Sequence, residues 1–318
     1  MASKVCLVTG CAGFIGSHLT QRLIDLGHFV VGVDNLFTGY AHNMKGFTDH
    51  PNFKFNEVSI LDDGLIESLK ADYPELDVVY HLAAIVSVPY SVDHPELTMN
   101  TNFEATKRMH KSAQELGISR FVFAGSAAEY GNEERLPVRE EYATDLVEHV
   151  SPYGTAKYRS SSLIGKSGYG CSLRFFNIFG PRQDPTSQYS GVISRFVDFG
   201  LAGKNMVIFG DGDQSRDFLY VSDVVDSYLI ASGLDPQGRG PLCGIYNVGT
   251  GNGISILQLA ESVSKLTAAP SEIDFQPERA GDIKHSRADV SKISKTGFSP
   301  QVSFEEGLAK TIEWAKSS

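Results

Sequence analysis

Val5-Cys-Leu-Val-Thr-Gly10-Cys-Ala-Gly13-Phe-Ile-Gly16-Ser-His-Leu19 runs an apolar strand through a turn with glycine at three-residue spacing and into a helix. Ile15, Leu19, Leu23 and Leu26 share one face of that helix, which stops at Gly27. In such a turn Gly10 allows the tight reversal, Gly13 lets backbone approach a pyrophosphate, and Gly16 lets helix and strand pack closely. The anion would sit at the helix amino end, where unpaired N–H groups and the helix dipole favour negative charge. A second apolar run, Phe29-Val-Val-Gly-Val33, ends in Asp34, at the distance from the glycines where an acidic side chain bonds the adenosine ribose of NAD. Neither the turn nor Asn35-Leu-Phe-Thr-Gly39 offers an Arg or Lys for a 2′-phosphate, so NAD is expected rather than NADP.

Working outward, strand-like runs recur at Lys4–Thr9, Phe29–Asp34, Phe53–Val58, Asp77–Leu82, Arg120–Ala124 and Ser172–Phe176, with helical segments between them. Most are continuously apolar, the signature of parallel strands covered on both faces, so the fold class is α/β, a Rossmann-like doubly wound parallel sheet. Beyond Phe176 the pattern loosens. Asp217–Val221 and Ile245–Val248 read as returning strands, and Ser255 with Gln258 forms a capping pair. The expected organisation is a dinucleotide-binding domain of residues 1–176 plus 217–250, interleaved with a smaller α/β substrate-binding lobe of residues 177–216 plus 251–318.

The chain has 318 residues, with 28 basic against 38 acidic side chains and a net charge of −10, which argues against a nucleic-acid-binding surface. Cys6, Cys11, Cys171 and Cys243 show no metal-like spacing, and neither a disulfide framework nor a metal site is expected. No stretch reaches membrane-spanning length, and Val5 to Val8 is too short for a signal peptide; a cytoplasmic location is expected.

The strongest catalytic signal is Ser151-Pro-Tyr153-Gly-Thr-Ala-Lys157. Ser151 suits an N-cap and Pro152 the first helical position, which puts Tyr153 and Lys157 on one helix face. A phenol is a poor base unless its anion is stabilised, and Lys157 and a positive nicotinamide ring would both do that.

Together with His81-Leu-Ala-Ala84, Asn102, Gly125-Ser-Ala-Ala-Glu-Tyr-Gly131, Arg174-Phe-Phe-Asn-Ile-Phe-Gly-Pro181, Ser215-Arg-Asp-Phe218 and Arg279-Ala-Gly-Asp282, these motifs resemble, nearly end to end, the extended short-chain dehydrogenase/reductases of the nucleotide-sugar epimerase and dehydratase group. The resemblance implies that Tyr153 takes the sugar O4 proton, that Ser126 bonds the same oxygen, and that Lys157 binds the nicotinamide ribose and lowers the phenol pKa. It implies NAD contacts at Gly10, Gly13, Phe14, Ile15, Gly16, Asp34, Asn35, Ser59, Ile60, Leu82, Ala83, Ala84 and Asn102. It implies UDP-sugar contacts at Ser87, Ser126, Asn177, Val192, Phe209, Arg216, Arg279, Asp282 and Ser286. Arg174, inside a strand, is read as half of a structural ion pair.

Three positions depart from the group's pattern: Ser59 stands in place of an Asp, Val86 in place of a Lys, and the Tyr153 to Arg174 interval is short. Dehydratases of the group resemble Thr-Asp-Glu where this chain has Ser126-Ala127-Ala128, and methyl groups move no protons. Glu129, one position later, should point elsewhere. The reading is a UDP-sugar 4-epimerase. A hexuronate 4-epimerase or decarboxylase stays open, although Ile85-Val-Ser-Val-Pro-Tyr-Ser91 carries no arginine for a carboxylate, and an NAD sensor would not need Tyr153 and Lys157. Ser286 occupies the position of a bulky Tyr in epimerases limited to plain hexoses, which predicts acceptance of N-acetylhexosamines. Pro95–Leu116 and Ser151–Ile164 map onto the helices of an intersubunit four-helix bundle in relatives, so a homodimer is expected.

Overall fold

Strands with no polar face are satisfied only between two layers of helices, and that is the arrangement in the computed structural model. It describes residues 2–185, 191–268, 272–278 and 283–317. In chain order the strands are β1 (Val5–Thr9), β2 (Phe29–Asp34), β3 (Phe53–Glu57), β4 (Leu76–His81), β5 (Arg120–Ser126), β6 (Gly170–Phe175), β7 (Asn177–Phe179), β8 (Met206–Phe209), β9 (Ser215–Arg216), β10 (Phe218–Tyr220), β11 (Gly244–Val248), β12 (Ile254–Ser255), β13 (Ile273–Gln276) and β14 (His285–Ser286). The helices are α1 (Phe14–Asp25), α2 (Leu65–Asp72), α3 (Val88–Asp93), α4 (Pro95–Met99), α5 (Ala105–Glu115), α6 (Pro152–Lys166), α7 (Val192–Leu201), α8 (Val221–Ser232), α9 (Ile256–Thr267), α10 (Ser291–Ser294) and α11 (Phe304–Ser317).

A seven-stranded parallel sheet has the order β11-β6-β5-β4-β1-β2-β3. The chain runs outward from β1 through β2 and β3, then crosses back to place β4 on the other side of β1. Ligands of such sheets bind in the crevice this reversal opens at the carboxyl ends of the strands. Leu19 and Leu23 of α1 pack with Val224, Tyr228 and Leu229 of α8 on one face of the sheet. Ile66 and Leu69 of α2 pack with Met109 of α5 on the other.

The boundaries of the strands read from the sequence agree to within two residues, but Asp217–Val221, which becomes β10, pairs with β7 and does not rejoin the large sheet. The buried Asp217 carboxylate accepts from the backbone N–H of Thr250 and Gly251 in the loop after β11 and of Ala288 in the loop after β14, which ties the segment to two loops. Phe179, Phe218 and Tyr220 join Phe196 of α7, Leu259 of α9 and Leu308 of α11 in a second core. At α9 the Ser255 hydroxyl accepts from the Gln258 N–H at 3.0 Å, as its capping pair predicts. Among the described residues no helix is long and apolar enough to cross a membrane.

Candidate active site

The glycine turn is built as its spacing demands. Gly10 adopts φ +75°, and its N–H donates to the Val33 carbonyl at 2.7 Å, locking the turn to β2. A Cβ on Gly16 would lie 2.0 Å from the Gly10 carbonyl oxygen, so only glycine lets α1 start this close. Gly13, the N-cap, brings no capping side chain to the first turn of α1. Both oxygens of Asp34 accept from backbone, from the Ala12 N–H at 3.0 Å and the Leu36 N–H at 2.9 Å. Burial raises the Asp34 pKa, and these two donors oppose the rise.

The crevice holds about 580 Å³, and it is lined by Gly10, Gly13, Phe14, Ile15, Gly16, Asp34, Asn35, Ser59, Ile60, Leu82, Ala83, Ala84, Ser126, Tyr153, Lys157 and Asn177. An uncapped helix amino end beside a turn with room only for hydrogens, and a carboxylate at the end of β2, suit a dinucleotide.

Ser126 is the last residue of β5, and α6 brings Tyr153 to it. The Ser151 hydroxyl caps α6 by accepting from the Gly154 N–H at 3.1 Å. A Cβ on Gly154 would lie 2.7 Å from the Ala128 carbonyl oxygen, so glycine there lets the helix press against the turn after β5. Burial pushes the Tyr153 phenol up to about 12, while a hydrogen bond from the Ser126 hydroxyl pulls it down and the Glu129 charge adds to the rise. Lys157 donates to the Ala124 carbonyl at 2.8 Å and lies 4.7 Å from the Phe123 ring centroid. Burial lowers its pKa to about 8, opposed by Glu129. The Lys157 ammonium lies 5.9 Å from the Tyr153 ring centroid, so the helix brings the two groups together as their spacing predicts.

Glu129 points away from the crevice, as read from the sequence. It is fully buried and ion-paired to Arg174, which is also buried. It accepts from the Ser126 N–H at 2.9 Å and the Ser161 hydroxyl at 2.6 Å. Arg174 also donates to the Tyr130 hydroxyl at 3.1 Å and the Glu140 carbonyl at 2.9 Å. The pair braces the back of the site.

Other sequence-picked residues lie off the crevice wall. Asn102 sits in a π-helical turn over Asn100–Glu104, where its side-chain amide accepts from the Ile85 N–H at 2.8 Å and donates to the Ile85 carbonyl at 2.7 Å. It thus shapes the wall loop after β4. Ser87 is buried and caps α3, accepting from the Tyr90 N–H at 2.9 Å. Val192 opens α7 directly after Gly191, which does line the crevice. Phe209 ends β8, and Arg216 of β9 stands beside Ser286 of β14 in the small sheet β12-β9-β14. Arg279 and Asp282 lie outside the described residues. Sequence reasoning missed Phe37, Tyr40, Arg182 and Asp184, all on loops lining the crevice. The Tyr40 hydroxyl donates to the Asp184 carboxylate at 2.6 Å, a pairing across loops far apart in sequence that no local pattern announces.

Residues 6–249 match the model of the NAD dependent epimerase/dehydratase family. The chain belongs to that family. It is an enzyme of that family, and NAD is its cofactor. It is similar to a UDP-glucose 4-epimerase of Mycolicibacterium smegmatis, at 37% identity with 98% of each chain covered. It is also similar to a UDP-N-acetyl-alpha-D-glucosaminuronate decarboxylase of Bacillus cytotoxicus, at 34% identity with 98% of this chain and 97% of that one covered. Among solved structures it resembles the UDP-N-acetylglucosamine 4-epimerase of Methanobrevibacter ruminantium in complex with UDP-N-acetylmuramic acid, with a TM-score of 0.90 and 34% identity over 100% of this chain and 99% of that one.

Proposed function

We propose that the chain is a UDP-sugar 4-epimerase that accepts N-acetylhexosamines as well as plain hexoses. The observation that carries this reading is the triad Ser126, Tyr153 and Lys157 on one crevice wall, beside Ala127 and Ala128 and with Glu129 turned into a buried ion pair. A proton acceptor for a sugar hydroxyl is present, and the turn after Ser126 carries two methyl groups where removal of water would call for an acid and a base. Bound NAD supplies a reversible hydride acceptor. Tyr153 holds and returns the proton of the sugar O4, Ser126 orients that oxygen, and Lys157 binds the cofactor ribose. Asn177 reaches the crevice from β7, while Arg216, Phe209 and Ser286 would take the nucleotide and the C2 substituent on the second-lobe side.

The homodimer fits α4, α5 and α6, on which Leu97 is exposed and Arg159 lies 4.8 Å from the Phe103 ring centroid; light scattering at micromolar concentration should give a dimer, and a monomer would remove that part of the reading. The direct test incubates purified protein with UDP-glucose, UDP-N-acetylglucosamine and UDP-glucuronate and follows C4 stereochemistry by NMR. Inversion at C4 of the first two is expected. Release of carbon dioxide from the third with no inversion of the others would make the chain a decarboxylase.

A further inference from the structure

Arg182 is a half-buried cation, and one end of its guanidinium is buried without a partner. It lines the crevice, and its Nη1 is buried without a hydrogen-bond partner. Leaving a charged donor unmade in this way costs more than the bond would return, so such a group in a native fold points to a missing acceptor. Burial alone lowers its pKa. Its backbone is held at φ +68°, a strained conformation for a residue with a long side chain and one that concentrates at binding sites.

The surrounding loop is fixed from both sides. The His18 Nε2 of α1 donates to the Pro181 carbonyl at 2.9 Å, and the Tyr40 hydroxyl from the loop after β2 donates to Asp184. His18 is held neutral, its pKa lowered to about 4 chiefly by burial, with the nearby Arg182 charge contributing. Arg182 therefore lies in a stretch of chain anchored on both sides, at Pro181 and Asp184, by elements that border the glycine turn and its uncapped helix end.

We propose that Arg182 binds the pyrophosphate of the dinucleotide, supplying from the chain beyond β7 the cation that faces the N–H groups of α1. Arginine forks suit phosphate oxygens. The strap held by His18 and Tyr40 then keeps the cofactor in place between turnovers. A UDP-sugar carries a diphosphate too, but the anchors lie on the cofactor side of the crevice. The inference rests on NAD as cofactor, not on the epimerase reading, so it stands or falls apart from substrate specificity.

The test titrates NAD, adenosine and UDP into cofactor-stripped protein by calorimetry. Arg182→Asn removes the cation with a side chain that tolerates positive φ, and Arg182→Lys keeps the charge. NAD binding by Arg182→Asn should weaken by roughly tenfold or more, the scale of a charge-assisted hydrogen bond, with adenosine and UDP unchanged and Arg182→Lys recovering part of the loss. Unchanged NAD affinity would overturn the proposal. So would equal weakening of NAD and adenosine, which would mean a displaced loop, or weakening of UDP alone, which would assign Arg182 to the substrate.

Discussion

Lys157→Met should stabilise the cofactor-free protein while destroying its activity. Burial takes the ammonium from its ordinary 10.5 to about 8, which at 1.36 kcal/mol per tenfold change is a folding cost of about 3 kcal/mol for keeping it charged. Methionine gives up the hydrogen bond to the Ala124 carbonyl, worth about 1 kcal/mol, so the net gain at pH 7 is about 2 kcal/mol. The folded pKa lies below the unfolded one, so the wild-type chain sheds this proton on folding and recovers stability as pH rises from about 8 towards 10.5. The advantage of the variant should accordingly be full at pH 7 and near zero at about pH 9.5. Urea unfolding of both proteins without NAD across that range is the assay, with turnover measured on the cofactor-loaded forms. A variant less stable than wild type by an amount that does not change with pH would refute the reasoning.

Tyr153→Phe should leave folding and NAD binding nearly intact and lower epimerisation by a factor on the order of a thousand, the scale of a lost general base; near-native turnover would remove Tyr153 from that role. Glu129→Gln leaves Arg174 charged and buried without its carboxylate, which should cost about 3–5 kcal/mol in chemical denaturation, and a loss under about 1 kcal/mol would show that the pair braces nothing. Ser286→Tyr should abolish the reaction of the acetamido sugars and spare the plain hexoses, because a phenol ring beside the C2 substituent excludes the larger group by overlap. Equal loss of both would show that position 286 does not set the size limit at C2.

Features decided by neighbours in sequence were legible. The glycine turn, the Ser151 cap and the spacing of Tyr153 to Lys157 are local, and their geometry follows the pattern with little change. Continuous apolar strands declared a parallel sheet because no other layer arrangement buries both faces. The second lobe was harder to read: β9, β12 and β14 are two residues long and exist only because they pair with one another. The π-helical turn at Asn102 and the crossing of Tyr40 to Asp184 are tertiary outcomes. Arg182 directly follows the motif Arg174–Pro181, but its strained backbone and orphaned nitrogen appear only once the loop is anchored on α1.

The most direct test of the central claim is the fate of deuterium carried at C4 of UDP-glucose, followed by NMR in ordinary water. UDP-galactose with the label kept at the inverted C4 is expected, because the hydrogen leaves and returns within one crevice while Tyr153 handles only the O4 proton. Unaltered C4 configuration after prolonged incubation, or inversion with the label replaced by solvent hydrogen, would contradict it.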